Sequence, residues 1–154
     1  MPKIDFDAVP ERKGSGYPAP FHLKAGERVR QGLGDAGGLK DFGVNLLRLP
    51  PGAWSSQRHW HSAEDEFVWV VSGEVTLVTD DGEQILGAGD CAAFPKNEPN
   101  GHHLINNSGQ MAVLLEVGTR STEDVCEYSD IDMRIENRLG KFTHRDGTPY
   151  PPRS

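Results

Sequence analysis

Residues His59-Trp60-His61-Ser62-Ala63-Glu64-Asp65-Glu66-Phe67-Val68-Trp69-Val70-Val71-Ser72-Gly73 carry the most information in this chain. In extended backbone, alternate side chains share a face, so His59 and His61 point the same way and Trp60 points the other. Ser62-Ala63-Glu64-Asp65 reads as a tight polar turn, and Glu66 to Val71 reads as a second strand that returns Glu66 beside the histidine pair. Two imidazoles and a carboxylate then lie within reach of one metal ion.

Working outward, short apolar segments follow one another at regular spacing. Asp41 to Leu49 is the first strand, ended by Pro50-Pro51-Gly52, and further strands are expected over 57–61, 66–71, 74–79, 84–86, 91–94, 103–106 and 111–117. Thr79-Asp80-Asp81-Gly82 carries the Asp-Gly signal of a hairpin. This rhythm argues for an all-β sandwich or barrel. No useful length of sequence has helical periodicity, although Thr122-Glu123-Asp124 could begin a single helical turn.

A second segment runs Gly89-Asp90-Cys91-Ala92-Ala93-Phe94-Pro95, then through a loop to Gly101-His102-His103-Leu104-Ile105-Asn106-Asn107-Ser108-Gly109. Together the two segments resemble the paired motifs of the cupin superfamily, from Gly52 to Asn107. The resemblance implies a double-stranded β-helix, the small jelly-roll barrel of that family. It also implies a 3-His/1-Glu metal centre, with His59, His61 and Glu66 as ligands from the first motif and His103 from the second. Matching Asn107 to the family's asparagine favours His103 and sends His103 and Ile105 inward; His102 paired with Asn106 is the alternative register. Glu64 is the alternative carboxylate, but Glu66 gives the family's spacing to Gly73.

Two departures stand out. Six residues rather than five separate Gly52 from His59, and the loop before His103 is longer than usual, with Asn97 where the family has glycine. Asparagine tolerates the left-handed backbone better than most residues, so that turn can survive. The longer loop, Lys96 to Asn100, would reshape the mouth of the site.

Three imidazoles and a carboxylate suit Fe or Mn first and Zn or Ni next, whereas Mg or Ca would want more oxygen ligands. The expected function is an enzyme using the metal as Lewis acid on a small oxygen-rich substrate, such as a sugar phosphate or hydroxyacid, in an isomerase or lyase reaction. The alternatives are an Fe(II) dioxygenase and a non-catalytic small-molecule binding or sensing module. A base is required for proton abstraction, and Glu64, His102, His144 and the three tyrosines form the pool. The layout is also similar to compact bacterial single-domain cupins, some provisionally labelled sugar-phosphate isomerases.

The 154 residues suit one domain, divided into an arm and mobile loop over 1–40, a barrel over 41–118 and an irregular tail over 119–154. The apolar fraction of 36% omits 18 glycines, whose inclusion brings it into the ordinary globular range. A net charge of -7 with no basic cluster argues against nucleic acid as a partner. No apolar run could span a bilayer and the start has no signal-peptide core, so a cytoplasmic protein without a membrane partner is expected. Cys91 and Cys126 lack metal or redox spacing, and Cys91 reads as a small buried side chain.

Phe67, Trp69 and Val71 form an apolar outward face on the Glu66 strand, to be covered by the chain's own ends or by a second subunit. The cupin resemblance favours a homodimer. Trp60, also outward, raises the same question of what covers it, and Trp54 is a candidate for the mouth of the site. The tail reads as a surface segment with a turn at Asp146-Gly147; folding back as a lid is the alternative.

Overall fold

The structure, a computed structural model, describes residues 2–137 and 140–153. Its strands are β1 (Glu11–Lys13), β2 (Val29–Gly32), β3 (Phe42–Leu49), β4 (His59–His61), β5 (Glu66–Ser72), β6 (Glu74–Thr79), β7 (Gly82–Gly87), β8 (Cys91–Phe94), β9 (His103–Ile105), β10 (Ala112–Thr119), β11 (Val125–Tyr128), β12 (Arg134–Glu136) and β13 (Phe142–Thr143). Antiparallel pairing arranges them as β1-β2-β3-β10-β5-β8, β13-β12-β11-β4 and β7-β6-β9. An isolated bridge between His59 and His102 stitches the last two sheets together. The result is the all-β, double-stranded β-helix architecture expected from the strand rhythm.

Alternation along the strands builds the core. Leu47 and Leu49 from β3, Val68 and Val70 from β5, and Leu114 from β10 meet Val75 and Leu77 from β6 and Leu104 from β9. Leu47, Leu49 and Leu114 are fully excluded from solvent, each contributing about 1.5–3 kcal/mol by removal from water. On the opposite face of β5, Trp69 and Val71 are 44% and 50% exposed, as the alternation requires. The β6–β7 hairpin turns at the expected place, with Thr79 opposite Gly82.

Gly73 joins β5 to β6 with φ +81, and a Cβ there would lie 2.6 Å from the Met111 carbonyl oxygen. Only glycine combines that backbone conformation with that approach. Asn97 takes the left-handed conformation expected of it, with φ 59.

Both ends are more ordered than expected. In the arm, β1 and β2 extend the first sheet, and the glycine-rich segment read as a mobile loop includes a one-turn helix, α1 (Leu33–Ala36). In the tail, β11 pairs with β4, opposing Cys126 to His61 and Tyr128 to His59. Tyr17 from the arm packs edge-on against Tyr128, with ring centroids 5.7 Å apart, in a second core cluster that includes Cys126, Met133 and Ile135. Thr122-Glu123-Asp124 forms a turn, not a helical one. Cys91, expected to be buried, is exposed because it opens the outermost strand of its sheet, where only one neighbour covers it.

Candidate metal centre

β4 presents His59 and His61 on one face, their ring centroids 5.0 Å apart. β5 begins with Glu66, whose Oε1 lies 2.7 Å from His61 Nε2 and 3.4 Å from His59 Nε2. The third imidazole is His102, whose Nε2 is 3.6 Å from Glu66 Oε2. His59, Glu66 and His102 form a group whose ligand atoms lie close enough together to hold one ion.

The expectation that His103 supplies this imidazole does not agree with the geometry. Leu104 is opposite Leu77 and lies in the core, so alternation sends His102 to the inner side with it and His103 to the other. His103 donates Nδ1–H to the Ser56 carbonyl oxygen at 3.0 Å and packs edge-on against Trp54 at 4.6 Å. Trp54 is therefore a cover for His103, not part of the site's mouth. The same slip of one residue applies to the asparagine. Asn106, fully buried, donates Nδ2–H to the carbonyl oxygens of Leu49 and Gln110, both at 2.7 Å, and its Oδ1 accepts from the Ser108 backbone at 2.9 Å. Asn107 instead reaches Thr76 Oγ1, at 3.3 Å.

The hydrogen bonds behind the rings determine which nitrogens face inward. His59 Nδ1 is 2.8 Å from the Gln57 carbonyl oxygen, which can only accept, so Nδ1 carries the hydrogen and a neutral ring offers Nε2 as a lone pair. His61 Nδ1 is 2.6 Å from Asp124 Oδ2, and the other carboxylate oxygen of Asp124 is held by the Ala63 N–H at 2.9 Å. A carboxylate or carbonyl behind a histidine is the arrangement that orients metal-ligating imidazoles. Glu66 Oε1 is buried and faces the His61 and His59 rings. With the rings neutral, lone pairs of nitrogen and oxygen converge, and the donor set fits a divalent transition metal.

A bound cation would compete with the protons held here. Burial pulls His61 down, but Asp124 and Glu66 outweigh it and bring its pKa to about 10, so without another cation these carboxylates retain a proton on the ring. Burial opposes ionisation of Glu66, yet the His102, His59 and His61 rings hold its carboxyl well below the usual range. Burial lowers His102 to about 4, which keeps it neutral and available as a ligand; its ring stacks on Phe94 at 3.6 Å.

Asp124 and Cys126 were not legible as site residues in the sequence. They arrive through the β11–β4 pairing, more than 60 residues from the histidine motif, and no local spacing announces it. Cys126 forms a second candidate group with His59 and His61, although burial pushes its thiol well up and so disfavours the thiolate. Glu64, the alternative carboxylate, stands 3.7 Å from His61 Nδ1 on the outer side and accepts the Ser121 N–H at 2.8 Å. Gly101 brings the second motif close to the tail, where a Cβ would lie 1.9 Å from Ser129 Oγ. Arg58 fastens the same segment, donating to the Gly101 carbonyl oxygen at 3.0 Å and to Asp130 at 2.8 and 3.0 Å. A cavity of about 850 Å³ opens on one side of the cluster and one of about 570 Å³ on the other, and His61, Glu64, Glu66 and His102 line both.

A Cupin domain family matches residues 45–118. A crystal structure from Silicibacter pomeroyi DSS-3, described as a sugar phosphate isomerase from a cupin superfamily, is 47% identical over 97% of both chains, with a TM-score of 0.93. The chain belongs to the cupin superfamily. A second crystal structure, from Acidithiobacillus ferrooxidans ATCC 23270 and provisionally named a sugar phosphate isomerase, is 32% identical over 76% of this cupin and 74% of its own chain, with a TM-score of 0.71. The polyketide cyclase RemF from Streptomyces resistomycificus is 19% identical over 77% of this cupin and 79% of its own chain, with a TM-score of 0.60, and shares the fold. No curated protein matches this cupin. Among the described residues no helix is long and apolar enough to cross a membrane.

Proposed function

We propose that this cupin holds a divalent transition metal, Fe or Mn before Zn or Ni, through His59, His61, Glu66 and His102, and isomerises a small sugar phosphate. The observation that carries the reading is the convergence of three imidazole Nε2 atoms on Glu66, with Nδ1 of His59 and His61 engaged behind by Gln57 and Asp124. The name borne by the 47%-identical Silicibacter protein supports the choice of isomerase.

A divalent ion in this donor set supplies Lewis acidity to a carbonyl oxygen. The chain supplies the rest. Isomerisation between an aldose and a ketose moves one proton between neighbouring carbons and one between their oxygens, so no redox partner is needed. Of the groups in the base pool, Glu64 lines both cavities, and Tyr17 and Tyr128 line the larger one. His144 stacks on Tyr150 and contacts Asp132 at 2.9 Å away from the site. Glu64 is the proton carrier in this reading, because its carboxylate is buried beside the cluster and fixed by the Ser121 N–H. Phe94, stacked on His102, keeps water from that side of the ring. A homodimer formed through the outer face of β5, in a cytoplasmic setting, completes the proposal.

The test is elemental analysis of protein purified without chelators, beside a His59→Ala/His61→Ala variant, followed by assays on aldose and ketose phosphates. Near-stoichiometric metal that the variant lacks, with metal-dependent interconversion, is the expected result. Equal metal content in the two proteins would overturn the assignment of the site, and metal without interconversion would overturn the isomerase.

A further inference from the structure

The larger cavity also contains two guanidinium groups that metal binding does not use. Arg28 immediately precedes β2 and Arg30 lies within it, two residues on, and both line this cavity. Both donate to the carbonyl oxygen of Ser55, Arg30 through Nη2 at 3.2 Å and Arg28 through Nη1. Arg30 is neutralised by a bidentate pair with Glu116, at 2.8 and 3.1 Å. Arg28 is not. It is 8% exposed, lies over the Tyr17 ring at 5.7 Å, and otherwise donates to the Gly14 carbonyl oxygen at 3.1 Å. No carboxylate among the described residues lies within ion-pair distance of it.

Burial and the neighbouring Arg30 charge push the Arg28 pKa down to about 10, which still leaves it charged at neutral pH. A second cation beside a buried one is a costly arrangement without an anion to offset it. Next to Gly14, Ser15 lines the same cavity, and its Oγ is buried without a hydrogen-bond partner among the described residues. An unpaired guanidinium and an unpaired hydroxyl from two segments thus lie in one cavity with the imidazole cluster, to which Arg30 is linked electrostatically through Glu66.

We propose that Arg28 and the Ser15 hydroxyl bind the phosphate of the substrate. The inference rests on the sugar-phosphate reading above and deepens it. Donors from two chain segments suit a group with three terminal oxygens better than a carboxylate with two, and the arginine fork matches a pair of phosphate oxygens. The phosphate occupies the arginine side of the cavity, leaving the carbonyl end of the substrate to the imidazole cluster.

The experiment is calorimetric titration of the protein as purified with inorganic phosphate, and separately with acetate, on the wild type, Arg28→Gln, Arg28→Lys and Ser15→Ala, with metal content measured on each. Phosphate binding should weaken about tenfold or more in Arg28→Gln, less in Arg28→Lys, and several-fold in Ser15→Ala, with metal content unchanged. Ser15→Ala removes a hydroxyl without a hydrogen-bond partner among the described residues, so it folds even if Arg28→Gln does not. Failure of the wild type to take up phosphate, or affinity unchanged in Arg28→Gln or in Ser15→Ala, would overturn the proposal. Acetate binding as tightly as phosphate would overturn the choice of phosphate. Arg28-dependent phosphate binding in a protein that retains no metal would sink the metal-dependent reading and leave the anion site standing.

Discussion

His59 and His102 face each other across an isolated antiparallel bridge, each donating its backbone N–H to the other's carbonyl oxygen, at 3.1 and 2.9 Å. Directly opposed residues project to the same face, so this pair of bonds brings the second motif's imidazole beside the first motif's. It also joins the β4 sheet to the β9 sheet, so the same two bonds link the sheets and align the site.

If that bridge determines the ligand, His102→Ala should lower metal affinity by more than the roughly 10–100-fold seen when only an outer partner is removed. His103→Ala should retain metal and lose stability, because its hydrogen bond to Ser56 and its packing on Trp54 disappear. Metal titrations of both variants, with circular dichroism to monitor folding, check this; the opposite order would return the role to His103.

Asp124→Asn should weaken metal binding about 10–100-fold without abolishing it. The amide cannot draw the His61 Nδ1 hydrogen as a carboxylate does, so the ring loses basicity and orientation. An affinity equal to that of the wild type would show that Asp124 only anchors the Ala63 turn.

Asn106→Ala should destabilise the fold by about 1–3 kcal/mol, since the Leu49 and Gln110 carbonyl oxygens lose their donor in a buried turn. Asn107→Ala, which loses one longer bond to Thr76, should cost less. Urea unfolding of the two variants measures the difference, and equal losses would contradict the register described for this segment.

Trp69→Lys tests the proposed dimer. Trp69 and Val71 project from the face of β5 that the core leaves uncovered, and a charge at the centre of that face should yield a monomer with metal content unchanged. Light scattering on both proteins reads the mass; a wild type that is already monomeric would remove the homodimer from the proposal.

The strands between Phe42 and Thr119, the Asp-Gly hairpin and the inward set of Val68 and Val70 were legible because they depend on local alternation and turn chemistry. The choice between His102 and His103 was not. Neighbouring histidines and neighbouring asparagines keep the motif's His-to-Asn spacing in two registers, the preferred one was displaced by a single residue, and such a slip exchanges the faces. Leu104 decides between them, through its place opposite Leu77. Cys91 was misread because its burial depends on whether its strand lies at a sheet edge, which pairing order alone reveals.

By itself the sequence determined an all-β chain with a histidine pair and Glu66 brought together by one tight turn, since period-two alternation over a few residues needs no distant partner. Tertiary structure decided what stands behind and beside that pair. Asp124, Cys126 and Tyr128 reach it through β11, and Arg28, Ser15 and Tyr17 enter from the arm. Those approaches depend on hydrogen-bond pairing and packing between segments far apart in the chain, for which no local pattern of residues codes.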